Sequence, residues 1–197
     1  KSINGKEFES IIKIFYGPSL LTGAWEERWD TKGAPETKIL LDKLSKYYNN
    51  VQIHFVHDKP HYECLKDKQK CQIAIDEMVT GSFHLSSLES LSQGIPTFAF
   101  LDHRTLWNIE QLTGNIENPW LNFRLEEAEK VFHRLITDKE LRKEIGIYSR
   151  SWMEKYWDDK RMVLYYVDAY KDLLENPDSF MKLRFDLNNK RDFWFVE

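Results

Sequence analysis

The chain has 197 residues, 42% apolar and 30% charged, the balance of one full-sized soluble globular domain, which sets aside fibres and disordered chains. Its net charge of -4 argues against a nucleic-acid binder, since such domains usually carry a basic excess on one face. Two cysteines, Cys64 and Cys71, exclude a disulfide scaffold or a four-thiolate zinc site and fit a reduced, cytoplasmic protein. No apolar run reaches the roughly 18 residues of a membrane helix and no signal peptide is visible, which leaves peripheral membrane contact open.

Residues 11–16, IIKIFY, are β-branched and aromatic and are stopped by Gly-Pro, so they read as a buried strand. Pro35 opens a helix in which Ile39, Leu40, Leu44, Tyr47 and Tyr48 recur at helical spacing, and Asn49 and Asn50 close it. A second strand is predicted over 51–57, a short helix over 60–68 and a third strand over 71–76. The helix over 85–93 places Leu85, Leu88 and Leu91 on one face and stops at Gly94, and a fourth strand follows over 96–101. Strands alternating with helices predict an α/β fold, a Rossmann-like open parallel sheet with helices on both faces. From 125 to 175 the period is helical throughout. One helix runs near 125–137, the next is capped by Thr137 or Asp138, and the last is stopped by Asn176 and Pro177. The expected organisation is one domain over 1–177 with C-terminal closing helices and a tail over 178–197. The aromatic share of 14% reads as helix packing in a core.

In an open parallel sheet, ligands bind beyond the carboxyl ends of the strands. The loop after Asp76 has the most suggestive chemistry there. Gly81 permits a tight turn. The amides from Phe83 to Ser86 would form the open first turn of the next helix, whose positive dipole end suits a phosphate. Glu89 lies one turn further in, roughly 6 Å along the axis from Leu85. A carboxylate so placed can accept hydrogen bonds from the two vicinal hydroxyls of a ribose. The plainer alternative is that Ser82 caps a helix and Glu89 is a solvated surface residue. His54, His57 and His61 are spaced unlike a metal site and read as structural. Asp102, His103 and Arg104, in the loop after the fourth strand, are candidates for a substrate role.

The stretch GSFHLSSLESLSQGIPTFAF resembles the donor-site segment of retaining GT-B-fold glycosyltransferases of the family-four (group 1) type, with Phe83, Leu85, Leu88, Glu89, Gly94 and Pro96 in register. IFYGPS, followed by Lys32, Gly33 and a helix, looks like that family's first strand and loop. CQIAIDEM looks like the strand that feeds the donor loop, and the helices from ITDKELRKEI onward look like the closing ones. The resemblance covers about residues 11–175. It implies one half of a GT-B fold, the C-terminal nucleotide-sugar-binding domain of a hexosyl-type enzyme. Such an enzyme transfers a glycosyl group from a nucleoside diphosphate sugar to an acceptor with retention, without a metal or other cofactor. Lys32 is implied as the catalytic cation that stabilises the leaving diphosphate, and Gly81, Ser82, Phe83, His84, Leu85, Ser86 and Glu89 as donor-binding residues, with Glu89 on the ribose. The chain departs from the pattern at Gly81, where many relatives carry a glutamate on the transferred sugar, and at His84, where glycine is usual. The N-terminal acceptor domain would then be missing, in keeping with a chain that starts at Lys1. The alternative is a non-catalytic nucleotide-binding or assembly module with a decayed donor site. A flavodoxin-like or response-regulator-like domain would want an acidic cluster or a flavin-stacking loop at the strand ends.

Overall fold

Residues 11–18 and 33–178 are described by the computed structural model. They form five strands, β1 Ile12–Tyr16, β2 Val51–Phe55, β3 Ile73–Glu77, β4 Thr97–Ala99 and β5 Leu121–Asn122. Between and after these run α1 Ala34–Tyr47, α2 His61–Lys68, α3 Leu85–Ser92, α4 His103–Thr113, α5 Leu125–Thr137, α6 Lys139–Tyr156 and α7 Asp159–Glu175. All pairings are parallel, in the order β2-β1-β3-β4-β5.

The strand period of two assigns side chains to opposite faces. Ile12, Ile14 and Tyr16 enter one core with Leu41 and Leu44 of α1 and Phe132 and Leu135 of α5. Phe15 points the other way, into a smaller cluster with Val56, Ala74 and Ile95 that Cys64 of α2 packs against. Burial on both faces is why β1 reads as a continuous apolar run rather than an alternating one. The fold class expected from the sequence is therefore the one observed.

Three details differ from the sequence reading. Leu85 does not share the buried face of α3, since it is 65% exposed, while Ser87 and Ser90 are buried. Small hydroxyl side chains let this helix lie close to the sheet, and each closes its own polar group. Ser87 Oγ donates to His84 O at 2.9 Å, and Ser90 Oγ donates to Ser86 O at 3.0 Å. The helix α4 was not legible, because its buried residues are only Ile109 and Thr113, too few to set a period. The two-residue β5 was missed too; a side chain secures it, with Asn122 accepting from the Leu101 amide at 2.8 Å and donating to its carbonyl at 3.2 Å. Of the two candidate caps for α6 it is Asp138 that accepts from the Leu141 amide, at 2.9 Å.

The chain divides into two compact units, Lys1–Lys155 and Tyr156–Glu197. In the second unit α7 is capped by Asp158, ends at Glu175 and buries none of its residues. Among the described residues no helix is long and apolar enough to cross a membrane.

Phe132 stacks on Phe98 with ring centres 4.1 Å apart at the middle of the larger core. Phe132→Ala is expected to lower the unfolding free energy by about 3–5 kcal/mol, read from chemical denaturation followed by circular dichroism.

Candidate functional site

The connection from β1 leads to β2 on one side, while β3 pairs with β1 on the other, so the strand order reverses between β1 and β3. Such a reversal leaves a crevice beyond the carboxyl ends of the strands. A cavity of about 380 Å³ opens there, lined by Phe15 of β1 and Gly17 just after it, His57 after β2, Lys68 of α2, and Ser86 and Glu89 of α3. That volume is within the range of small-molecule sites.

Glu89 faces this cavity and is held from two sides. Lys68 Nζ donates to its Oε2 at 2.5 Å, and His61 Nε2 meets its Oε1 at 2.5 Å. Lys68 also donates to Ser86 O at 2.8 Å and Ser86 Oγ at 3.0 Å, so its three amine protons are matched. Side-chain exposure is 1% for Lys68 and 13% for Glu89. Burial favours the neutral acid at Glu89, but the hydrogen bonds from Lys68 and His61 outweigh it and hold the carboxyl below its ordinary value.

The loop between β3 and α3 is fixed by two buried carboxylates. Glu77 accepts from the amides of Val79 at 3.0 Å, Thr80 at 2.7 Å and Ser82 at 3.2 Å. Asp76 accepts from the His84 amide at 2.6 Å, and its other oxygen lies 3.3 Å from His84 Nδ1. A buried charge needs such donors to offset its desolvation. The expectation of bare amides from Phe83 to Ser86 therefore fails at His84, and the Ser82 amide just before them is also taken. It stands for Leu85 and Ser86, whose amides open α3 without a partner among the described residues. Because Asp76 and Glu77 are satisfied by backbone, they do not make an open acidic cluster.

The other expected residues have these places. Phe83 lies on Trp120, ring centres 4.8 Å apart, away from the cavity lining. Gly81 has φ of 86°, and a Cβ there would come within 2.8 Å of Asp102 Cβ. A side chain at this position would collide with that of Asp102, the N-cap of α4. Asp102 caps α4 through the Thr105 amide at 2.9 Å and pairs with Arg104 at 2.6 Å. Lys32 lies outside the described residues. Leu85, Ser86 and Glu89 are thus brought together at the cavity, while Gly81, Ser82, Phe83 and His84 build the loop behind them.

Two solved structures share this architecture. One is a TarM mutant from S. aureus, in complex with fondaparinux, alpha-GlcNAc-glycerol and UDP, at 14% identity and a TM-score of 0.55 over 85% of this chain. The other is WaaG, a glycosyltransferase involved in lipopolysaccharide biosynthesis, at 14% identity and a TM-score of 0.51 over 79% of this chain. Both are GT-B glycosyltransferases. The fold is that of one Rossmann-like half of a GT-B fold. The chain spans 37% and 45% of the lengths of those two proteins. No family model matches the sequence, and no curated protein does.

Sequence reasoning missed Lys68, and it read His61 as structural without naming its partner, Glu89. Both lie on α2, a helix with no periodic apolar face, and nothing local signals that they cross to α3, 21 and 28 residues away. Cys64 also lines the cavity, but burial raises its thiol above the ordinary value, which disfavours the thiolate.

Gly81→Ala is expected to destabilise by about 2–3 kcal/mol, seen as a lower urea midpoint, because a β-carbon meets both the left-handed backbone and Asp102. Glu89→Gln leaves Lys68 without its counter-charge and is expected to cost about 2–3 kcal/mol at neutral pH, the amide oxygen still accepting one bond. Glu89 titrates lower folded than unfolded, so its contribution is complete above the ordinary carboxylate value near pH 4.3 and is lost as pH falls through the folded one. The stability gap between wild type and Glu89→Gln is therefore expected to narrow on acidification, measured as melting temperature across that range.

Proposed function

We propose that the chain is the donor-binding domain of a glycosyltransferase of the retaining, family-four type. It takes a nucleoside diphosphate sugar in the crevice beyond β1 and β3. The observation that carries this reading is the meeting, in one cavity, of two amides at the start of a helix, unpartnered among the described residues, and a carboxylate one turn inside it. The amides of Leu85 and Ser86 receive the diphosphate, aided by the helix dipole. Glu89 receives the ribose hydroxyls. The likeness in fold to two GT-B enzymes, one solved with UDP, supports a nucleotide as the class of ligand.

Transfer of the glycosyl group needs charge stabilised on the leaving diphosphate. On this reading Lys32, directly before Gly33 and α1, supplies the cation, with no metal. The acceptor binds on a second domain of the same protein, so this chain alone binds nucleotide and turns over poorly. Cys64 and Cys71 are both free thiols, which supports a cytoplasmic setting.

One observation favours the second reading, a binding module with a decayed donor site. Glu89 is already engaged by Lys68 and His61, and the Ser82 and His84 amides are taken by acids. Titration of UDP, GDP and ADP into wild type and Glu89→Ala by calorimetry separates the two. The donor-site reading expects one diphosphate to bind and Glu89→Ala to weaken it roughly tenfold or more. Negligible binding by both proteins overturns it.

A further inference from the structure

Both oxygens of Glu89 are engaged before any ligand arrives, and their two donors differ in kind. Lys68 is enclosed: its amine is fully matched by Ser86 and Glu89, and it lies 5.1 Å from the centre of the Phe15 ring. It ties α2 to the first turn of α3 and to the end of β1, and it cannot leave without exposing a buried acceptor at each point. His61 is the first residue of α2, its side chain is 66% exposed, and it meets Glu89 at a single nitrogen. The neighbouring charges are otherwise occupied. His57 pairs with Asp58 at 2.9 Å, and Lys59 pairs with Asp67 at 2.7 Å.

A carboxylate offers about four acceptor positions, two on each oxygen. To receive two vicinal hydroxyls it must be held in one plane and must present one oxygen to the cavity. We infer that Lys68 is the positioning residue that fixes Glu89 for a ribose diol, and that His61 is the donor the diol displaces. This rests on the reading of Glu89 as the diol acceptor. Lys68 never touches the ligand; it acts through Glu89 and the Ser86 carbonyl. The exchange is close to balanced for Glu89, since two hydroxyl donors replace one imidazole donor while the exposed imidazole returns to water.

The consequence is specific to the pentose. A loss of positioning removes the preference for a ribonucleotide over its 2′-deoxy form, whereas general loosening of the fold weakens both forms alike. Dissociation constants of UDP and 2′-deoxy-UDP, and of the matching guanosine and adenosine pairs, are measured on the full 197-residue chain by calorimetry. The tightest pair sets the ratio. Wild type is expected to prefer the ribonucleotide about tenfold or more, and Glu89→Ala to show no preference. Lys68→Met is expected to lose the preference, and His61→Ala to keep or raise it. A wild-type ratio of one overturns the diol reading of Glu89 and the inference with it. A wild-type preference that survives in Lys68→Met overturns the inference alone. Should Lys68→Met fail to fold, His61→Ala decides: a kept or raised preference leaves Lys68 as the remaining donor on Glu89, and a lost one makes His61 the positioner and overturns the proposal.

Discussion

A lysine amine with no access to water must find an acceptor for each of its protons, and Lys68 finds all three on α3. That requirement joins the end of α2 to the beginning of α3 across the carboxyl end of β1. It determines where the first turn of α3 points and where Glu89 stands. The pair adds little net stability by itself, because desolvating two charges costs about as much as their attraction returns. What it supplies is a single arrangement: with the lysine enclosed, α3 cannot slide or turn without stranding a charge. The cavity above it is therefore preformed rather than assembled around a ligand.

The same logic governs the loop that delivers α3. Asp76 and Glu77 end β3 inside the protein, and their carboxylates can be satisfied there by the amides of the following turn. The turn becomes rigid, and Gly81 can pass close beneath Asp102. The backbone amides of Ser82 and His84 are thereby lost as donors to anything else. Among the described residues, the amides of Leu85 and Ser86 stay open at the start of α3, directly beside the clamp on Glu89. On the proposed reading, these two donors and one oriented carboxylate receive a phosphate and a diol at a fixed separation.

The far end of α3 is held as firmly. Gly94 ends the helix in the left-handed region, and α6 passes so near that a side chain on Gly146 would collide with the Gly94 carbonyl oxygen. Arg150 of α6 donates to the Ser92 carbonyl. Trp152 donates to the Glu117 carbonyl at 2.9 Å and packs edge-on to Trp120, against which Phe83 lies. The aromatic residues here thus serve as packing between the loop before α3 and α6.

Period and punctuation in the sequence determined the elements that bury a continuous stripe: β1 through β4, α1, α3 and the long helices after residue 125. The glycine turn marked the mouth of α3, while Glu89 was singled out only by the resemblance to a known family. Elements held by a single side chain, such as β5 by Asn122, left no periodic trace. Neither did the direction of Leu85, which depends on how closely the sheet lets α3 approach. Whether an amide at the loop is bare was decided only by where the Asp76 and Glu77 side chains turned on folding. The partners of Glu89 came from a helix whose sequence gives no sign of them. Hydrophobic burial repeats along the chain and can be read there; a hydrogen bond between distant residues is fixed only when the sheet brings two helices side by side.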